Sequence, residues 1–250
     1  MDMNLAGRRI LVTGGSRGIG AAAVRLLAAL GARVAFTYLS GRDAAEALVR
    51  EVPGALALQG DQRLREDARR VVSEVERAFG GLDAFVGNAG LWQPTPAVLE
   101  GEEVLEAVLE VNLRGLFRWH AEVIPALRRA GGGSILLISS TAGQRGEAGY
   151  GAYAAAKGGV ISLVKSLAVE LGPWGIRVNG VAPGWVDTDM AAPALRADPA
   201  ERARIAAAFP LGRIPGPGDL AGPVAFLLSD WAQAVTGEIL NVNGGTVLCG

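Results

Sequence analysis

RRILVTGGSRGIGAAAVRLLAAL, residues 8–30, decides the fold. Arg8 to Thr13 is a short apolar run closed by glycine, the pattern of a buried strand. Ile19 to Leu30 has helical composition and ends at Gly31, a natural left-handed stop. Between them runs Thr13-Gly14-Gly15-Ser16-Arg17-Gly18-Ile19-Gly20. Its glycines let the backbone turn sharply and approach a ligand closely. The helix N-terminus behind them carries unpaired N–H groups and partial positive charge, so pyrophosphate is its natural ligand. The spacing G-x-x-x-G-x-G differs from the G-x-G-x-x-G of the standard dinucleotide loop. The strand-loop-helix setting is nonetheless the one that mechanism requires, and it argues against a turn chosen for packing alone.

The same alternation continues outward. Strands are expected at Ala32–Tyr38, Ala55–Gln59, Leu82–Gly87, Ser134–Ser139, Ile176–Val181 and Ile239–Val242. Helices are expected at Asp43–Glu51, Leu64–Phe79 (ended by Gly80-Gly81), Tyr153–Leu171 and Asp219–Ser229, the last capped by Asp219. One long helix, Glu102–Arg129, carries Pro125 near its end, and Pro183–Pro217 is expected to be irregular. Continuously apolar strands alternating with helices predict an α/β fold, a doubly wound parallel sheet covered on both faces, in one domain over residues 1–250.

Composition narrows the function. The 250 residues are 50% hydrophobic and 20% charged with a net charge of -1, which excludes disorder and argues against a nucleic-acid partner. A single cysteine, Cys249, excludes an internal disulfide framework and a thiolate cluster. A single histidine, His120, excludes His-based zinc sites and an ordinary Ser-His-Asp triad. No metal is expected. The apolar stretch from Gly158 to Leu171 is interrupted by Lys165 and Glu170, and MDMNLAGRR has no apolar core of a signal peptide. A cytoplasmic protein without a membrane partner is expected.

Tyr153-Ala154-Ala155-Ala156-Lys157 sets a phenol and an ammonium at i and i+4 on one helix face. An adjacent ammonium stabilises phenolate, so the phenol is expected to be more acidic than usual. Such a tyrosine can give a proton to a carbonyl oxygen or take one from an alcohol.

Together these motifs resemble the short-chain dehydrogenase/reductase family in its single-domain branch, from Arg8 to Gly245. The family's T-G-x-x-x-G-x-G is matched by Thr13, Gly14, Gly18 and Gly20, and its N-A-G by Asn88-Ala89-Gly90. Gly87 departs from the asparagine often found before that element. The resemblance implies a Rossmann-type three-layer α/β/α fold and an oxidoreductase that interconverts a carbonyl and a secondary alcohol. It implies catalytic roles for Asn112, Ser140, Tyr153 and Lys157. Ser140 is selected over Ser139 by its distance from the tyrosine, and Asn112 would position a proton-relaying water. For the cofactor it implies the loop residues Gly14, Ser16, Arg17, Gly18, Ile19 and Gly20, then Asp61 at the adenine. Asn88, Ala89, Gly90, Pro183, Gly184, Val186 and Thr188 complete that set, with Tyr153 and Lys157 at the nicotinamide ribose.

The second strand ends Thr37-Tyr38-Leu39-Ser40-Gly41-Arg42, without the acid that NAD enzymes commonly place there. Arg17, Arg42 and Ser40 are suited to a 2′-phosphate, so NADP(H) is expected over NAD(H). Trp92, Gln144, Tyr150 and Trp185, with Leu91 and Met190, are the candidates for the substrate pocket, and residues 185–215 for a lid. Within the family the chain is similar to 3-oxoacyl carrier-protein reductases. A carrier protein as partner would need a basic patch beside the entrance, to which Arg128 and Arg129 would contribute, whereas Trp174 stands where a second basic residue is common. An NAD-dependent sugar, polyol or general alcohol dehydrogenase stays open, as does a non-catalytic nucleotide sensor. Family members usually form tetramers or dimers, which would place Val160, Leu163, Leu167 and Val242 against a partner subunit.

Overall fold

The computed structural model describes residues 3–98 and 101–249. Met1, Asp2, Leu99, Glu100 and Gly250, which the single-domain expectation also spans, lie outside the described residues. The strands are β1 (Arg9–Val12), β2 (Arg33–Tyr38), β3 (Leu56–Gln59), β4 (Ala84–Gly87), β5 (Gly133–Ile138), β6 (Ile176–Pro183) and β7 (Ile239–Val242). The helices are α1 (Gly18–Ala29), α2 (Arg42–Glu51), α3 (Arg65–Phe79), α4 (Glu103–Leu109), α5 (Gly115–Arg129), α6 (Thr141–Arg145), α7 (Gly151–Leu171), α8 (Ala192–Ala197), α9 (Pro199–Ala207) and α10 (Pro217–Leu228). All strands run parallel in the order β3-β2-β1-β4-β5-β6-β7.

Successive residues of a strand point to opposite faces, and here both faces are buried. Leu11, Phe85, Ile135 and Leu137 enter one core with α3, α5 and α7. Ile10, Val12, Leu136 and Ile138 enter the other with α1 and α10. That double burial is why the strands are apolar throughout rather than alternating.

Four expectations are corrected. The predicted long helix is interrupted by a π-helical turn, Glu110–Arg114, between α4 and α5. The segment after β6 is not irregular throughout: it folds α8 and α9, whose Leu195 and Ile205 form a small core with Ala191 and Phe209. Asp219 is the third residue of α10 rather than its N-cap, and its carboxylate accepts from the Gly216 amide at 2.8 Å. Val160, Leu163 and Leu167 are buried in the protomer's own core and Val242 packs against the second core, because these side chains lie on inward faces. Among the described residues, Gly151–Trp174 is the segment long and apolar enough by composition to cross a membrane, and its apolar face is this sheet-packing one.

Candidate active site

Strand order reverses between β1 and β4, so the connections after their C-terminal ends diverge and leave a crevice there. A cavity of about 610 Å³ fills it, lined by the loops after β1, β2, β3, β4, β5 and β6 and by the first turns of α7.

The glycine loop forms its floor. Gly14 has φ 62, and a Cβ on it would lie 2.9 Å from the Ala89 backbone. Gly20 does not line the cavity; a Cβ there would strike the Gly14 carbonyl and the Asn88 amide. Asn88 ties the two segments together. Its Nδ2 donates to the Thr13 and Gly14 carbonyls at 3.0 and 2.9 Å, and its amide donates to Thr13 Oγ1 at 3.1 Å. Arg17, at the N-cap of α1, makes no side-chain cap bond, so the helix terminus stays open for a ligand's acceptors. Ser16, Arg17, Gly18 and Ile19 line the cavity beside that terminus. A glycine cradle that excludes Cβ and an uncapped helix N-terminus fit a dinucleotide pyrophosphate.

Asn88, Ala89, Gly90, Asp61, Pro183, Gly184, Val186, Thr188 and Ser40 also line the cavity. Asp61 accepts from Arg63 Nη2 at 2.6 Å, and that guanidinium holds its carboxyl below the usual range. Arg42, the first residue of α2, is exposed and falls outside the lining.

Ser140, Tyr153 and Lys157 meet in the cavity. Ser140 caps α6 by accepting from the Ala142 amide at 3.1 Å, while buried Ser139 donates to the Lys157 carbonyl at 2.8 Å. Lys157 Nζ donates to the Ile138 carbonyl at 2.7 Å and lies 5.7 Å from the Tyr153 ring centre. An ammonium has three donors, so two protons remain for a ligand. Burial pushes the Lys157 ammonium down to about 8. The expected acidic phenol is not observed: burial pushes Tyr153 up to about 12, opposed by the Ser140 hydroxyl and reinforced by the Glu147 charge. Desolvation outweighs the Ser140 hydroxyl, so the tyrosine rests protonated at neutral pH.

Asn112 is buried in the π-turn. It accepts from the Leu91 amide at 3.2 Å and donates to the Leu91 and Val108 carbonyls at 2.7 and 2.9 Å. It therefore bolts the loop after β4 to the helix and does not itself line the cavity.

On the substrate side Trp92, Trp185, Leu91 and Met190 line the cavity, whereas Tyr150 and Gln144 do not. Tyr150 stacks behind Trp92, and Gln144 Nε2 instead donates to Asn241 Oδ1 at 2.6 Å. Glu147 lines the wall and was missed; a lone glutamate between Ser140 and Tyr153 was the available signal. Half buried, its carboxyl is raised by desolvation. Arg128 and Arg129 do not stand beside the entrance. They end α5, at the sheet edge where β5 and β6 begin, opposite the cavity. There Arg128 stacks on Trp174 at 3.8 Å and Arg129 is paired with Glu76 at 2.9 Å.

A family model described as Enoyl-(Acyl carrier protein) reductase matches residues 14–247. The 3-oxoacyl-[acyl-carrier-protein] reductase FabG of Escherichia coli (strain K12) is 40% identical over 246 residues, 97% of this chain and 98% of that one. The enzyme of the same name from Staphylococcus aureus (strain N315) is 38% identical over 239 residues, 94% of this chain and 96% of that one. Among solved structures, the 3-ketoacyl-(acyl-carrier-protein) reductase of Brucella melitensis, complexed with NADH, superposes with a TM-score of 0.91 at 32% identity. That match covers 98% of this chain and 100% of the Brucella chain.

Proposed function

The chain belongs to the short-chain dehydrogenase/reductase family, and on that premise we propose that it reduces the 3-oxo group of an acyl thioester to a secondary alcohol. It is an oxidoreductase that uses a nicotinamide cofactor. The observation that carries the reading is the convergence of Ser140, Tyr153 and Lys157 on one cavity whose other end is the glycine loop and the open α1 terminus.

When bound, the nicotinamide supplies a hydrogen with its electron pair to the carbonyl carbon. This chain's residues do the rest. Ser140 donates to the carbonyl oxygen and orients it. Tyr153, protonated at neutral pH, delivers its phenolic hydrogen to that oxygen as negative charge develops there, so the C=O becomes CH–OH. Lys157 holds the ribose hydroxyls with its two free donors and stabilises the phenolate left on Tyr153. Solvent returns the proton to the phenolate.

NADP(H) is the preferred cofactor in this proposal. Arg17 lines the cavity beside Ser40 and Gly41 and makes no ion pair among the described residues. It is available for a charge-assisted bond to a 2′-phosphate. Residues 185–215 act as the lid: Asp187 pairs with Arg202 at 2.8 Å, joining the wall residue Trp185 to the small core under α8 and α9. Homo-oligomer formation is part of the proposal, supported by the exposed Phe117 on α5 and Val169 on α7. A sedimentation profile of a monomer at working concentration would reject it.

A second reading, a reductase of free ketones, is favoured by the far-edge location of Arg128 and Arg129, where Trp174 and Glu76 already engage them. An acidic carrier needs free cations near the entrance. The test follows consumption of NADPH and NADH with 3-oxoacyl carrier-protein thioesters, 3-oxoacyl-N-acetylcysteamine thioesters, simple ketones and polyols. Turnover of thioesters sustains the first reading; turnover confined to free ketones sustains the second; turnover of polyols alone with NAD overturns both.

A further inference from the structure

The two indoles that line the cavity are set at right angles. Trp92 and Trp185 have ring centres 5.5 Å apart and planes at 81°. Trp92 is backed by Tyr150, stacked at 4.3 Å and within 5° of parallel. Its Nε1 points at the Glu147 carboxylate, 3.4 Å away, which fixes the rotation of the ring. Two rings held this way form a rigid corner of π surface rather than an adaptable apolar lining.

The corner is also registered against the reacting groups. The backbone around Trp92 is clipped to the start of α7 through Thr95. The Thr95 amide donates to the Gly149 carbonyl at 2.7 Å, and Thr95 Oγ1 accepts from the Ala152 amide at 3.0 Å. Tyr153 is the next residue along that helix. Any group seated in the corner is therefore held at a fixed offset from the phenol, which is the arrangement that turns binding into orientation.

A planar ring entering such a corner stacks on one indole and meets the other edge-to-face, the two geometries aromatic pairs prefer. A flexible alkyl chain gains only the apolar contact and loses rotamer freedom there. The Glu147 carboxylate beside the corner has no ion-pair partner among the described residues. It disfavours a substrate that carries negative charge at this end.

Resting on the carbonyl-reductase reading, we propose that the substrate carries an uncharged planar aromatic ring next to its carbonyl, seated in the corner formed by Trp92 and Trp185. The enzyme is in this sense an aryl ketone or aryl 3-oxoacyl reductase rather than one for straight alkyl chains.

The experiment compares 3-oxo-3-phenylpropanoyl, 3-cyclohexyl-3-oxopropanoyl and 3-oxohexanoyl N-acetylcysteamine thioesters, with acetophenone and cyclohexyl methyl ketone as free counterparts. Phenyl and cyclohexyl are alike in bulk and differ in π character. We expect kcat/KM for phenyl to exceed that for cyclohexyl by about ten-fold. We expect Trp92→Leu to abolish the ratio and Trp92→Phe to keep most of it, with NADPH binding retained as the check that both variants fold. A phenyl-to-cyclohexyl ratio near one, or a ratio that Trp92→Leu leaves intact, overturns the aryl assignment while the reductase reading stands. NADPH binding without turnover of any carbonyl removes both.

Discussion

The Lys157 ammonium donates to the Ile138 carbonyl, 2.7 Å away at the end of β5, and that is its only hydrogen bond to the protein among the described residues. The strand end thereby aims a buried cation into the cavity. Burial has lowered its pKa to about 8, below the ordinary lysine value, so the folded chain holds that proton less tightly than the unfolded chain does. The resulting destabilisation is present at neutral pH and is relieved as pH rises from about 8 towards the unfolded value. NADPH affinity of the free enzyme should weaken as pH rises through about 8. Lys157→Met should bind NADPH more weakly with no such pH step, while its Tm at pH 7 stays level or rises. Fluorescence titration across pH and a thermal melt check both; a wild-type affinity flat across that range contradicts the assignment.

Tyr153→Phe should lower kcat by about a thousand-fold and leave the NADPH Kd unchanged. The phenol's pKa near 12 also fixes a direction. Reduction needs the neutral phenol and should run at neutral pH, whereas alcohol oxidation needs phenolate and should rise steadily into alkaline solution. Opposite pH slopes for the two directions are the signature; parallel slopes would point to a different acid.

Ser140 has two separable duties. Ser140→Ala should reduce kcat by about a hundred-fold through loss of the donor to the substrate oxygen. It should also lower stability by about 1 kcal/mol through loss of the α6 cap, the bond to Ala142. Ser140→Asn, which can cap, should restore stability and not rate.

The cofactor choice is tested at Arg17. Arg17→Ala should raise the KM for NADPH by about 30-fold and barely change that for NADH, because only the phosphorylated ribose offers the guanidinium a charge-assisted bond. Arg42→Ala should change either value far less, since Arg42 lies exposed outside the cavity. Equal losses for both cofactors would reject a role in phosphate recognition.

His120 concerns stability alone. It is 4% exposed, both ring nitrogens lack hydrogen-bond partners, and burial pushes its pKa down to about 4. The unfolded chain takes up that proton more readily, so stability present above about pH 6.5 is lost as pH falls towards 4, by about 3 kcal/mol in all. His120→Phe should flatten that acid limb in urea melts at a series of pH values.

Much of this was legible from residues alone, for physical reasons that can be named. Strands buried on both faces must be apolar throughout, so Arg8–Thr13 and Ser134–Ser139 stood out. A close approach that excludes Cβ leaves only glycine, so the loop at Gly14 stood out as well. What stayed hidden depends on tertiary context. One extra residue at Glu110–Arg114 barely alters the apolar spacing around it. α8 and α9 are short and rich in alanine, with little periodicity to register. The direction of the Tyr153 shift turns on desolvation, which no local spacing reveals. Tyr150 and Gln144 lie near the right place in the chain, but one backs Trp92 and the other is bonded to Asn241.

The wide turn at Asn112 acts on the loop beside it. It inserts a residue where the Asn112 side chain replaces a ladder bond by donating to the Val108 carbonyl. Excising one position between 110 and 114 would let the helix close to a regular ladder with Trp119 and Val123 still facing the sheet, and would withdraw the Asn112 side chain from Leu91. The surplus residue thus serves to anchor Leu91 rather than to orient the helix beyond it.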